Sequence, residues 1–308
     1  MLISIIRFAF GLILLGFASA SDFRTRRVND WVWIAMGGFG LAILEAELLW
    51  SDASWEHQLI IVPTAIIFFA VFFGEEMWTE KGFRFRPVRL ALYLLALSLF
   101  LFTSLRFWNA AGADAESYWA HVSMPVLLVI AHLFYQFGVL RGGADAKAFM
   151  SIALLVPSYP TLVAYGLPIV TIPIRIENFM NLAFPFALVV LLDAALILVF
   201  LPLTLLILNA AKGDFEGLIS LFGYKVDIDK LPRFAWLMDR IDEGQHTRVL
   251  LPRRRENREE QVRLLKEKGL VRVWVTPQIP FLVPMTVGFV AAFVIGNFAL
   301  GLARLFGA

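Results

Sequence analysis

The stretch LAFPFALVVLLDAALILVFLPLTLLIL, residues 182–208, holds one ionisable side chain, Asp193, in an otherwise apolar run. A bilayer core of roughly 30 Å is crossed by about 20 such residues in a helix. Seven further runs flank it: Leu2 to Ala20, Trp31 to Trp50, Leu59 to Phe73, Val88 to Trp108, Val122 to Leu140, Ala146 to Val170 and Phe281 to Phe306. The third is short and the sixth contains Pro157, Pro160 and Pro168. Backbone amides cannot stay unpaired in lipid, so these runs are expected as helices, and the lack of period-2 alternation disfavours a barrel. With 59% hydrophobic and 17% charged residues and a mean hydropathy of +0.74, a soluble globular domain is excluded. The expectation is an all-α polytopic membrane protein with about eight transmembrane helices.

The chain has no cysteine, which removes disulfides, thiolate metal sites and thiol nucleophiles. His57, His121, His132 and His246 are scattered without an HExxH pattern, so zinc proteolysis is not expected. Neither a metal nor any other cofactor is anticipated. The net charge of +2 gives no ground for a nucleic-acid partner.

The distribution of charge is more telling. Arg24, Arg26 and Arg27 follow the first run; Lys81, Arg84, Arg86 and Arg89 follow the third; Arg141 and Lys147 lie at the end of the fifth; and residues 212–272 carry Lys and Arg along their whole length. The intervening loops carry Asp52 and Glu56, Asp114 and Glu116, then Arg175 with Glu177. By the positive-inside rule, odd-numbered spans run from outside to inside, in a multi-pass plasma-membrane protein. The same cluster argues against cleavage at the A-x-A-like Ala18 to Ala20. The predicted divisions are a membrane domain over 1–208, a cytosolic α+β domain over 209–278 and a final transmembrane helix over 279–308. Within the polar segment, 253–268 reads as a charged amphipathic helix with Val262, Leu264 and Leu265 apolar, and Val271, Val273 and Val275 alternate as a short strand.

Ionisable groups at span ends are functional candidates because burying them is costly. Asp22 follows the first run in SASDFRTRRVNDWVW, and Asp145 precedes the sixth in LRGGADAKAFM; the derived topology puts both on the cytoplasmic face. Two carboxylates sharing one water keep one proton between them, giving a general base and a general acid. Gly142 and Gly143 permit unusual backbone conformations and close approach. Each feature also has a plain structural reading: Gly142 and Gly143 as a tight turn capped by Asp145, Asp22 as a solvated interface residue, Asp30 as the cap of the second helix.

In order, Asp22 followed by basic residues and Val28, Asn29, Asp30 and Trp31, then GGAD at Gly142 to Asp145 with Ala146 and Lys147, then IPFLVPMTVG at Ile279 to Gly288, resemble the GxGD-type aspartic membrane proteases. The archaeal prepilin and preflagellin peptidases are the nearest in kind. Ala144 stands where the motif has glycine, and four spans separate the aspartates where compact members have two. The resemblance implies Asp22 and Asp145 as catalytic residues, with motif support from Gly142, Gly143, Lys147, Asn29, Pro280, Phe281 and Pro284. It further implies cleavage of the basic leader of type IV pilin-like or archaellin precursors before their apolar helix, without methylation. Proline is also tolerated in a first helical turn, a structural role for Pro280 and Pro284. Two other readings stay open: a transporter or channel using Asp193, Arg106 and Arg175, and a presenilin-like protease cutting within the membrane.

Overall fold

The structure is a computed structural model that describes residues 2–73, 78–79, 82–137, 142–160, 184–242, 244–250 and 257–297. Its first compact unit comprises Met1–Ala194 and Phe281–Ala308, its second Ala195–Pro280.

Mostly helical structure follows the apolar runs. In chain order the helices are α1 (Leu2–Thr25), α2 (Asp30–Trp50), the short α3 (Trp55–Gln58), α4 (Ile61–Ala70), α5 (Pro87–Phe107), α6 (Ala113–His121), α7 (Ser123–Gln136), α8 (Gly143–Leu155) and α9 (Phe186–Ala211). Among the described residues five helices are long and apolar enough to cross a membrane: α1, α2, α5, α6 with α7 taken together, and α9. The other three of the expected eight are not confirmed among the described residues. The third run yields a helix of 10 residues, and the sixth and last give 13 described helical residues each, about 20 Å at 1.5 Å per residue. Pro168 and Arg175 lie outside the described residues. Asp114 and Glu116, expected in a loop, sit in the first turn of α6.

The core of this unit is built where α8 crosses α2. A β-carbon on Gly40 would lie 2.5 Å from the Leu154 carbonyl oxygen, so the two backbones touch there. Ser151 on α8 donates to the Trp33 carbonyl on α2 at 3.2 Å. Trp33, Met36, Leu44, Ile152 and Leu155 are fully buried at this contact. At a different end of the unit, histidines that look scattered in sequence meet in space: Asp114 accepts from His57 at 2.5 Å and from Ser54 at 2.6 Å, and His57 lies 3.1 Å from His121.

In the second unit, β3 (Tyr224–Asp227) and β4 (Ala235–Leu237) flank β7 (Arg272–Pro277) in an antiparallel sheet, with Tyr224 and Leu237 both opposite Val275. A hairpin pairs β5 (Asp239–Asp242) with β6 (Gln245–Arg248). Besides these, α10 (Ile219–Phe222) and α11 (Arg258–Glu267) belong to the unit, β1 (Trp78–Thr79) and β2 (Gly82–Phe83) form a separate hairpin, and α12 is Leu282–Val294. Asn257 caps α11 by accepting from the Glu260 amide. The expected alternation survives at Val273 and Val275, which face the buried Leu265, but Val271 is outside the strand and exposed. Trp274, on the other face, is buried with Ile219 and Met238. The unit is pinned by Asp239, whose carboxylate accepts from the Trp274 amide at 2.6 Å and from His246 and Arg248 at 2.9 Å.

Candidate active site

Asp22 lies one turn before the end of α1, and the exit from that helix is held by hydroxyls. Ser21 and Thr25 both donate to the Arg27 carbonyl, at 2.8 and 3.1 Å, and the Arg26 amide donates to the Asp22 carbonyl at 2.9 Å. Arg26 takes a left-handed φ of 58°, a conformation that is costly for a side chain with a β-carbon. Asn29 then accepts from the Trp31 amide at 3.3 Å and caps α2. Asp30 is therefore not the cap. Its carboxylate pairs with Lys147 at 2.7 Å, and the Lys147 ammonium lies over the Phe72 ring at 5.2 Å. Through that pair the start of α2 is tied to the first turns of α8.

Asp145 is the third residue of α8, ahead of the apolar run that starts at Ala146. The cap position belongs to Gly142, which makes no side-chain capping bond, so the reading of Asp145 as a cap fails. Neither glycine of the pair has a left-handed φ; what Gly142 supplies is room. A β-carbon there would stand 2.1 Å from the Asp145 carboxylate oxygen. At Gly143 the nearest atoms belong to Tyr135 at 3.6 Å, an ordinary contact.

The two aspartates differ from the acids that hold the fold together. Asp114, Asp214 and Asp239 are each held by hydrogen bonds, whereas the carboxylates of Asp22 and Asp145 are committed to no hydrogen bond among the described residues. They bear on each other: burial first, and the Asp22 charge second, push the Asp145 carboxyl up to about 7. A carboxyl so raised holds a proton near neutrality beside a second carboxyl, the condition for acid and base to coexist.

Pro284 is buried in the first turn of α12, where its missing amide costs no intrahelical bond. Phe281 stands at that helix's cap and packs on the core; Pro280 is buried. The Leu282 carbonyl accepts from Ser19 of α1 at 2.9 Å and from Thr286 at 2.9 Å, so α12 begins beside the turn of α1 that carries Asp22. Gly288 lets α12 approach α9, since a β-carbon there would meet the Val190 carbonyl oxygen at 2.7 Å. Asp193 on α9 is buried with both carboxylate oxygens unpaired. Reading the sequence missed the Asp30–Lys147 tie and the Ser19 and Thr286 hydroxyls. An acid directly after a better cap was the available signal for the first; the second had none. No group of His, Asp or Glu able to hold a metal occurs among the described residues.

Known proteins extend the resemblance. Residues 217–298 match the family model described as Archaeal Peptidase A24 C-terminus Type II, a span that includes the small sheet, Pro280, Phe281 and Pro284. A preflagellin peptidase of Methanocaldococcus jannaschii is 25% identical over 303 residues, covering 96% of this chain and 97% of that one. The preflagellin peptidase of Methanococcus maripaludis is 22% identical over 296 residues, covering 94% and 93%. An uncharacterised M. jannaschii protein is 24% identical over 289 residues, covering 92% and 90%.

Proposed function

We infer that this chain, which belongs with the archaeal prepilin and preflagellin peptidases, is a membrane aspartic endopeptidase. It removes the short basic leader of type IV pilin-like or archaellin precursors just before their apolar helix, at the cytoplasmic membrane face. The observation that carries this reading is the pair of carboxylates, Asp22 and Asp145, without hydrogen-bond partners among the described residues, Asp145 being raised by burial first and by the charge of Asp22 second. Support also comes from similarity over nearly the whole chain to preflagellin peptidases.

In this mechanism Asp145 holds the shared proton and Asp22 is the base. Asp22 takes a proton from water as the water oxygen bonds to the scissile carbonyl carbon, and Asp145 gives its proton to the carbonyl oxygen. The tetrahedral intermediate then collapses: the C–N bond breaks, the leaving nitrogen takes the proton held by Asp22, and one hydroxyl of the intermediate returns its proton to Asp145 as the carboxyl product forms. Such a dyad titrates as a pair. Gly142 clears space for the acid. Lys147, through Asp30, and Asn29 fix the two helix starts around it, Gly143 continues the entry to α8, and Pro280, Phe281 and Pro284 shape the start of α12 beside α1.

The finer topology belongs to the same proposal: eight spans with odd-numbered ones running inward, a membrane domain over 1–208, a cytosolic domain over 209–278 and a last span over 279–308. Basic loops after the first, third and fifth runs support that orientation. The test is a cleavage assay of the membrane-reconstituted chain with a pilin-like precursor, the products read by mass spectrometry. A single cut between the basic leader and the apolar helix is expected. A cut inside the apolar helix points instead to an intramembrane protease, and no cut removes the assignment.

A further inference from the structure

A groove of about 480 Å³ opens between α4 and α5, at the end of α5 where the chain is basic. Its walls are Ile66, Phe69 and Phe73 on one side and Leu92 on the other, with Arg86 and Arg89 at one end. No Asp or Glu lines it among the described residues. Arg89 is only 8% exposed. Its Nε donates to the Tyr93 hydroxyl at 3.0 Å and one Nη2 hydrogen bond goes to the Ala70 carbonyl at 2.6 Å, but Nη1 is buried with no partner.

A guanidinium presents five N–H donors in a planar fork, and leaving part of it desolvated and unsatisfied is costly unless an acceptor completes it. A positive charge at the mouth of an apolar groove asks for a ligand with an anionic oxygen head and a hydrocarbon body. The phosphate geometry matches the fork. Two of the bonds on Arg89 already go to neutral oxygens of the fold, so its position is set before any ligand arrives.

We propose that this groove binds an anionic phospholipid, its phosphodiester at Arg89 and an acyl chain along Phe69 and Leu92. Basic pockets between membrane helices near the polar boundary are suited to such headgroups. The site is independent of Asp22 and Asp145, so its test does not depend on peptidase activity.

The test is native mass spectrometry of the full chain released from detergent with added phosphatidylglycerol, phosphatidylcholine or inorganic phosphate. One phosphatidylglycerol per chain is expected to be retained, at least tenfold over phosphatidylcholine, with inorganic phosphate alone not retained. Arg89→Gln is expected to abolish the preference. Leu92→Trp, which fills the apolar wall and leaves every Arg89 hydrogen bond in place, should lose the lipid as well, and it carries the test if Arg89→Gln does not fold. Equal retention of both lipids, retention of phosphate alone, unchanged retention in Leu92→Trp, or displacement of the lipid by a peptide of the precursor's apolar helix would each overturn the proposal.

Discussion

Gly142 and Asp145 form the tightest contact in the site, and they make the most local prediction. A methyl group at Gly142 would occupy the position of the Asp145 carboxylate oxygen, so Gly142→Ala must swing the acid away. Displacing a catalytic group by about 1 Å costs roughly a hundredfold in rate, and a loss of that order is expected in the precursor assay. Gly143→Ala should stay near the parent rate, because its added carbon meets only the Tyr135 ring at 3.6 Å. The motif drew both glycines into one expectation; only the space around each separates them, and no spacing in the sequence carries that.

Asp145 also sets a pH dependence. Its carboxyl is raised to about 7 in the fold from a value near 3.9 in an unfolded chain. A raised acid favours the folded state while protonated, so its burial weakens stability as pH climbs from about 4 to about 7, by at most about 4 kcal/mol. Asp145→Asn should therefore melt higher than the parent at pH 8 and close to it at pH 4, in thermal unfolding followed by circular dichroism. Cleavage by the parent should fall as pH rises through about 7, when the acid loses its proton.

At the scale of elements, the crossing of α2 and α8 places the acid. Gly40→Leu would drive a side chain into the Leu154 carbonyl, 2.5 Å from where the first carbon must sit. Overpacking of this kind costs about 1–3 kcal/mol, measurable as a lowered melting temperature with cleavage impaired in the same variant. In the second unit, Asp239→Ala leaves the Trp274 amide and Arg248 without their buried acceptor; removing one partner of such a pair costs roughly 3–5 kcal/mol, and unfolding of the sheet should shift accordingly. Helices were legible because the apolar runs are long and uninterrupted, and α11 because Val262, Leu264 and Leu265 mark one face. The central strand was half legible: Val273 and Val275 alternate, but Trp274 is buried on the opposite face by α10 and Met238. Covering both faces of a strand erases the polar half of the pattern.

For the molecule as a whole, hydropathy marks eight runs, of which five are long apolar helices among the described residues. A run of apolar residues is also what a buried helix looks like, and α4 and α8 are short helices packed against α2, α7 and each other's neighbours. The proposed shared face of Asp22 and Asp145 rests on loop charge alone, since Arg24 to Arg27 and Arg141 with Lys147 fall on one side of the expected topology. The pairing of Lys147 with Asp30 was not, because it joins residues 117 positions apart. The same distance in sequence hides the Ser19 contact to α12. What assembles the candidate site is therefore packing among α1, α2, α8 and α12, while the proposed chemistry rests on two side chains that this packing leaves uncommitted.

The central claim is that these two carboxylates cleave the precursor together. Asp22→Asn and Asp145→Asn, each expressed in membranes to the parent level and each with the parent's circular dichroism spectrum, should both leave a pilin-like precursor uncut under conditions where the parent processes it fully. Processing retained in either variant would contradict the account.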